Sequence, residues 1–97
     1  MKQVGTTADN LKVCTGVFKF YDTYGIPLDT LFDLCKNENI MPSWLDFYND
    51  AIENKWKYET IITRLSDSIS DVWGKDYADA IIQKIKTAKG FRKLKNK

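Results

Sequence analysis

The 97-residue sequence predicts an all-α fold, a single compact domain of four or five short helices. Apolar side chains recur three and four residues apart in four stretches, as on the buried face of a helix. Glycine, asparagine and proline interrupt these stretches, and the connections between them are only two to five residues long. A 43% apolar fraction with 3 Trp, 5 Tyr and 5 Phe is enough for one modest core.

The N-terminal quarter of the chain has mixed signals. Residues 1–10 are small and polar and predict a flexible N-terminus. Residues 11–17 alternate as in a strand, whereas residues 17–24 repeat at helical spacing, so strand and helix both stay open for residues 11–17. The favoured interpretation is a short helix that ends at Gly25, because glycine after a periodic run and Pro27 beyond it form a stop signal.

Helical spacing is clear in the rest of the chain. Met41 and Pro42 are expected to form a plain connection, and Ser43 with Asp46 three residues later has the spacing of a capping box. Trp44 and the later Trp73 fall on inward stripes and are expected in the core. The four further helices are predicted over residues 27–37, 43–54, 58–73 and 76–89.

Composition argues against several classes of function. The chain has no histidine, which removes the usual general base and the Ser-His and Cys-His nucleophile pairs, so we expect no enzyme. Cys14 and Cys35 are expected to be buried, reduced thiols, and two cysteines without histidine make a poor zinc site. No metal or cofactor is therefore expected. No apolar run reaches the length of a membrane helix, and the N-terminus lacks a secretory signal, so the expected location is cytoplasmic.

Charge is distributed unevenly along the chain. Residues 1–83 carry 8 basic and 13 acidic residues, whereas residues 84–97 carry 7 basic and none acidic. A helical domain over residues 11–90 is thus followed by a basic C-terminal extension over residues 91–97. These bases suit non-specific contact with nucleic acid phosphates, or act only as a solubilising terminus. The candidate nucleic-acid-binding residues are Lys84, Lys86, Lys89, Arg92, Lys93, Lys95 and Lys97.

Carboxylates recur four residues apart in three places: Asp29 and Asp33, Asp46 and Asp50, Asp67 and Asp71. Such pairs are ordinary solvated helix faces or a negative surface that a partner protein recognises. Trp56, in the turn between two helices, is either half-buried or an exposed interface ring. The candidate partner-binding residues are Asp46, Asp50, Glu53 and Trp56.

The helices over residues 43–54 and 58–73 have the outline of a helix-turn-helix. The second helix would then enter the major groove of DNA. Its outward side has one base against several acids, which favours a simple packed helical pair over DNA reading. The outward positions are Glu59, Thr60, Thr63, Arg64, Asp67, Ser70 and Asp71.

Residues 16–29 read Gly-Val-Phe-Lys-Phe-Tyr-Asp-Thr-Tyr-Gly-Ile-Pro-Leu-Asp. Glycine and proline make this a corner-forming sequence, in which the tyrosines bury their rings and the aspartate bonds nearby backbone amides. The stretch resembles the Tyr-Asp-Thr-Tyr-Gly-x-Pro region of alanyl-tRNA synthetases, which lies beyond their class II catalytic core. The family's catalytic motifs have no counterpart here, so the resemblance implies a structural corner and not aminoacylation. The corner residues are Tyr21, Asp22, Tyr24, Gly25 and Pro27.

Residues 41–65 carry a second pattern, Met-Pro-x-Trp followed by Phe-Tyr, Ala-Ile, Trp-Lys, Thr-Ile and Arg-Leu pairs. This pattern is similar to that of small bacteriophage proteins, and it implies an accessory viral protein without assigned chemistry. The leading expectation is a small non-catalytic protein that modulates a host macromolecular machine through protein contact. The alternative is a nucleic-acid-binding module, and a tRNA-related factor comes third.

Overall fold

The computed structural model describes residues 1–88, and within them it corrects the all-α prediction. Five helices are accompanied by a three-stranded mixed sheet, so the fold is α+β. The strands are β1 (Lys2–Thr6), β2 (Lys12–Thr15) and β3 (Ile40–Pro42). The helices are α1 (Val17–Tyr24), α2 (Leu28–Asn37), α3 (Trp44–Glu53), α4 (Tyr58–Trp73) and α5 (Lys75–Ala88).

The sheet has the order β1-β2-β3, with β2 antiparallel to β1 and parallel to β3. Met41 and Pro42, expected in a plain connection, belong to β3 and pair with Val13 and Cys14 of β2. Residues 1–10, expected to be flexible, contain β1, whose five residues are all exposed. Proline is tolerated in β3 because a strand at a sheet edge need not donate every backbone hydrogen bond.

The N-terminal quarter of the chain contains both a strand and a helix, one after the other. The alternation over residues 11–17 corresponds to strand β2, and the helical spacing that follows corresponds to α1. Gly16 separates the two in the left-handed conformation, with a φ of 80°. Gly25 ends α1 at a φ of 67°, and its N–H donates to the carbonyl of Tyr21 at 2.9 Å, which confirms the predicted stop signal.

The core lies where the apolar stripes of all five helices meet. Helix α4 packs chiefly on α5 and α2 and places Ile61, Leu65 and Ile69 fully out of solvent. Each such side chain contributes about 1.5–3 kcal/mol of transfer free energy. Trp44 is buried as predicted, whereas Trp73 is only half-buried and packs against the edge of the core. The other large side chains that are fully buried are Val17, Phe18, Leu31, Phe32, Cys35, Pro42, Phe47 and Ile85.

Both cysteines are free thiols inside the fold, as the sequence predicted. Burial, and to a lesser degree the neighbouring Cys14, raises the pKa of the Cys35 thiol to about 11. Cys35 therefore stays protonated at neutral pH and is a poor nucleophile. None of the five described helices is long and apolar enough to cross a membrane.

Candidate functional site

The corner between α1 and α2 is built as a tight turn with an open outer side. Pro27 is the N-cap of α2 at a φ of −56°. It follows Ile26, which itself follows the left-handed Gly25. Tyr24 is 66% exposed, and its ring meets Phe20 in a tilted arrangement, at 4.6 Å between ring centroids, so the prediction that its ring is buried is wrong. The Asp22 side chain is exposed and forms no hydrogen bond within the described residues, contrary to the expected contact with backbone amides.

The Trp56 cluster, formed by Phe18, Tyr21, Trp56 and Arg64, holds α1 against the start of α4. Trp56 is half-buried and meets Phe18 and Tyr21 edge-on, at centroid distances of 5.2 and 5.9 Å. The guanidinium carbon of Arg64 lies 5.1 Å from the Trp56 ring centroid, a cation–π contact. Trp56 thus has an internal packing role, and only part of its ring faces solvent.

Asp46 does not form the predicted capping box. The N-cap Ser43 makes no side-chain capping bond, and Asp46 Oδ2 instead accepts a hydrogen bond from the Gly16 backbone N–H at 2.9 Å. This carboxylate therefore links the start of α1 to the first turn of α3. The capping prediction is wrong because the tertiary donor of Gly16 competes successfully with the local N–H of the α3 N-terminus.

The remaining partner-binding candidates lie further along α3. Glu53 is exposed at the end of the helix, and Asp50 is half-buried. Partial burial, followed by the nearby charge of Asp46, raises the pKa of the Asp50 carboxyl, while Lys19 of α1 lowers it. Of the four candidates, Asp46 and Trp56 thus contact α1 directly, and Asp50 and Glu53 offer the accessible charge.

Packing of α2 on α4 brings together two acidic pairs that are 38 residues apart in sequence. We call Asp29, Asp33, Asp67 and Asp71 the acidic groove; all four are exposed. Two adjoining clefts of about 260 and 300 Å³ share Asp29: the first also contains Asp67, and the second contains Asp33 and Asp71. The ion pair found within residues 1–88, Lys75 with Asp79, lies outside the groove.

Two cations and one aromatic ring border the acidic groove. Arg64 and Tyr21 line the first cleft, with Arg64 Nη1 3.5 Å from the Tyr21 hydroxyl oxygen. Near the second cleft, Lys36 Nζ donates to the carbonyl oxygen of Val72 at 3.1 Å, in the last turn of α4. The corner between α1 and α2 thus adjoins the groove through Tyr21, Pro27 and Asp29. Across residues 1–88, no three potential metal ligands converge.

The helix-turn-helix outline corresponds to α3 and α4, joined by residues 54–57. Arg64 is the one base among the outward positions of α4, and its guanidinium packs over Trp56. The same helix also carries the exposed acids Asp67 and Asp71, whose charge would repel DNA phosphates. This arrangement favours a packed helical pair over a recognition helix.

The basic candidates are described only in part. Lys84 and Lys86 are exposed on α5. Lys89, Arg92, Lys93, Lys95 and Lys97 lie outside the described residues. Lys84 also lines a cavity beside the sheet.

No family model matches the chain, and no curated protein or solved structure matches it either. The resemblances to alanyl-tRNA synthetases and to small bacteriophage proteins therefore stay predictions. The sequence shows both acidic pairs of the groove but not that they adjoin. Only the packing of α2 on α4 provides that information.

Proposed function

We propose that the protein is a small non-catalytic binding protein that engages a basic surface of a larger protein through its acidic groove. The observation that supports it is that four exposed carboxylates on two packed helices line two adjoining clefts, without an ion-pair partner among the described residues. Like charges four residues apart destabilise a helix slightly. A positively charged partner would relieve this repulsion, so a fold with two such pairs on one face is best matched by a basic protein surface.

The border of the groove supports a protein partner. Tyr21 and Arg64 belong to the residue types enriched at protein interfaces, and they adjoin the carboxylates at the first cleft. Trp56 is half-buried and contacts both Tyr21 and Arg64. The predicted resemblance of residues 41–65 to small bacteriophage proteins is the reason for choosing a host macromolecular machine as the partner class in this proposal.

The test is a pull-down from host cells, read by mass spectrometry, with wild type and a groove variant. Asp33→Lys with Asp71→Lys reverses two exposed charges in the second cleft, and we expect recovery of the specific partner to fall at least about tenfold. Asp9→Lys with Glu38→Lys makes the same change in net charge at exposed sites that do not line either cleft, and it should retain binding. Equal recovery by both variants, or recovery of nucleic acid alone, would refute the proposal.

Binding by the recovered partner should also depend on salt. Attraction between exposed charges is screened within about 8–10 Å at physiological ionic strength. The association rate should therefore fall as salt rises, and this dependence should be weaker for the groove variant than for the Asp9 and Glu38 control. A rate that is insensitive to salt in all three proteins would exclude electrostatic recognition.

A nucleic-acid-binding module is the second candidate function. Its supporting observation is that Lys84 and Lys86 are exposed in the last turns of α5, directly before five further bases in the sequence. Such binding would be non-specific and strongly salt-dependent. This candidate would be favoured over the first if the chain binds duplex DNA or tRNA, if deletion of residues 89–97 abolishes this binding, and if the groove variant binds as well as wild type.

A further inference from the structure

We draw no further inference here: the strongest candidate, the cavity of about 220 Å³ that Trp44, Tyr77 and Lys84 line beside the sheet, carries none, because the Trp44 indole nitrogen is out of reach of any ligand and nothing else in residues 1–88 shows what would occupy the cavity.

Discussion

Asp46 forms a long-range hydrogen bond that could not be predicted from its position in the sequence. Its Oδ2 accepts from the Gly16 N–H across 30 residues of sequence, at 2.9 Å and with partial burial. Gly16 is the N-cap of α1 and has no side chain with which to satisfy a free N–H of that helix. A charged acceptor in a partly dry environment makes a stronger bond than a neutral one. Asp46 therefore fixes α1 to α3.

We expect Asp46→Ala to lower the free energy of unfolding by about 1–2 kcal/mol, because the Gly16 N–H would lose a charged acceptor. Asp46→Asn should lower it by less, since an amide oxygen still accepts. Urea unfolding monitored by circular dichroism gives both values. Glu53→Ala, at an exposed position of the same helix, should change it by less than about 0.5 kcal/mol. Equal losses for Asp46→Ala and Glu53→Ala would contradict the assignment.

The Cys35 thiol should make stability depend on alkaline pH. Its folded-state pKa of about 11 is above the ordinary value of 9.0, so the unfolded chain releases this proton first. The protonated Cys35 thiol makes its full contribution to the free energy of unfolding below about pH 9. As the pH rises through about 11 this contribution is lost, and the free energy of unfolding falls by roughly 2–3 kcal/mol in total.

Comparison with Cys35→Ala isolates this contribution, because the tyrosines titrate in both proteins. The variant is less stable at neutral pH, since it loses a buried sulfur. The stability gap should narrow when unfolding is measured at about pH 10.5 instead of about pH 7. A gap that stays constant would show that Cys35 titrates normally in the folded chain.

At the scale of elements, α1 is an eight-residue helix bounded by two left-handed glycines. A helix this short has little stability of its own. It is held by Asp46 at its start and by Phe18 and Tyr21, which contact Trp56. The corner after Gly25 then directs α2 toward α4, which places Asp29 in the acidic groove.

Gly25→Ala should destabilise the protein by about 1 kcal/mol, because a Cβ strains the backbone at a φ of 67°. The space around the added atom is open, so the cost is conformational and not steric. Gly5→Ala is the matched control: its added Cβ also meets nothing within 4 Å, and its φ is not in the left-handed region. Thermal unfolding of both variants tests this, and an unaffected Gly25→Ala protein would contradict the strain argument.

At the scale of the whole molecule, repulsion among the carboxylates of the acidic groove lowers the free energy of unfolding. The carboxylates of Asp33 and Asp71 line one cleft, and each also has a like charge four residues away on its own helix. Repulsion of this kind costs a few tenths of a kcal/mol per pair and is weakened by salt.

Asp33→Asn with Asp71→Asn should therefore raise the free energy of unfolding by about 0.3–1 kcal/mol at low salt. The gain over wild type should shrink at about 1 M NaCl, where the Debye length is about 3 Å. Asp9→Asn with Glu38→Gln removes the same net charge outside both clefts and should give a smaller gain. If the two double variants gain equally, net charge and not the groove is responsible.

The helices show how much local pattern can predict. The stripes over residues 27–37, 43–54 and 58–73 identified α2, α3 and α4 to within a residue or so at each end, because each stripe repeats over several turns. The sheet was missed for the opposite reason. Strand β3 has only three residues, and Pro42 within it argued for a connection. Strand β1 is polar and exposed, so it has no apolar alternation to detect.

The sequence by itself determined the helical segments, the buried thiols, the glycine stop at residue 25 and the acidic pairs, since each depends on neighbours within about one or two helical turns. Only the tertiary structure decided the pairing of β2 with β3, the bond from Gly16 to Asp46, the joining of two acidic pairs into one groove and the cavity at Trp44. These features require chain segments about 28 to 77 residues apart to meet. Such meetings are set by how all the apolar faces pack together, which no local spacing encodes.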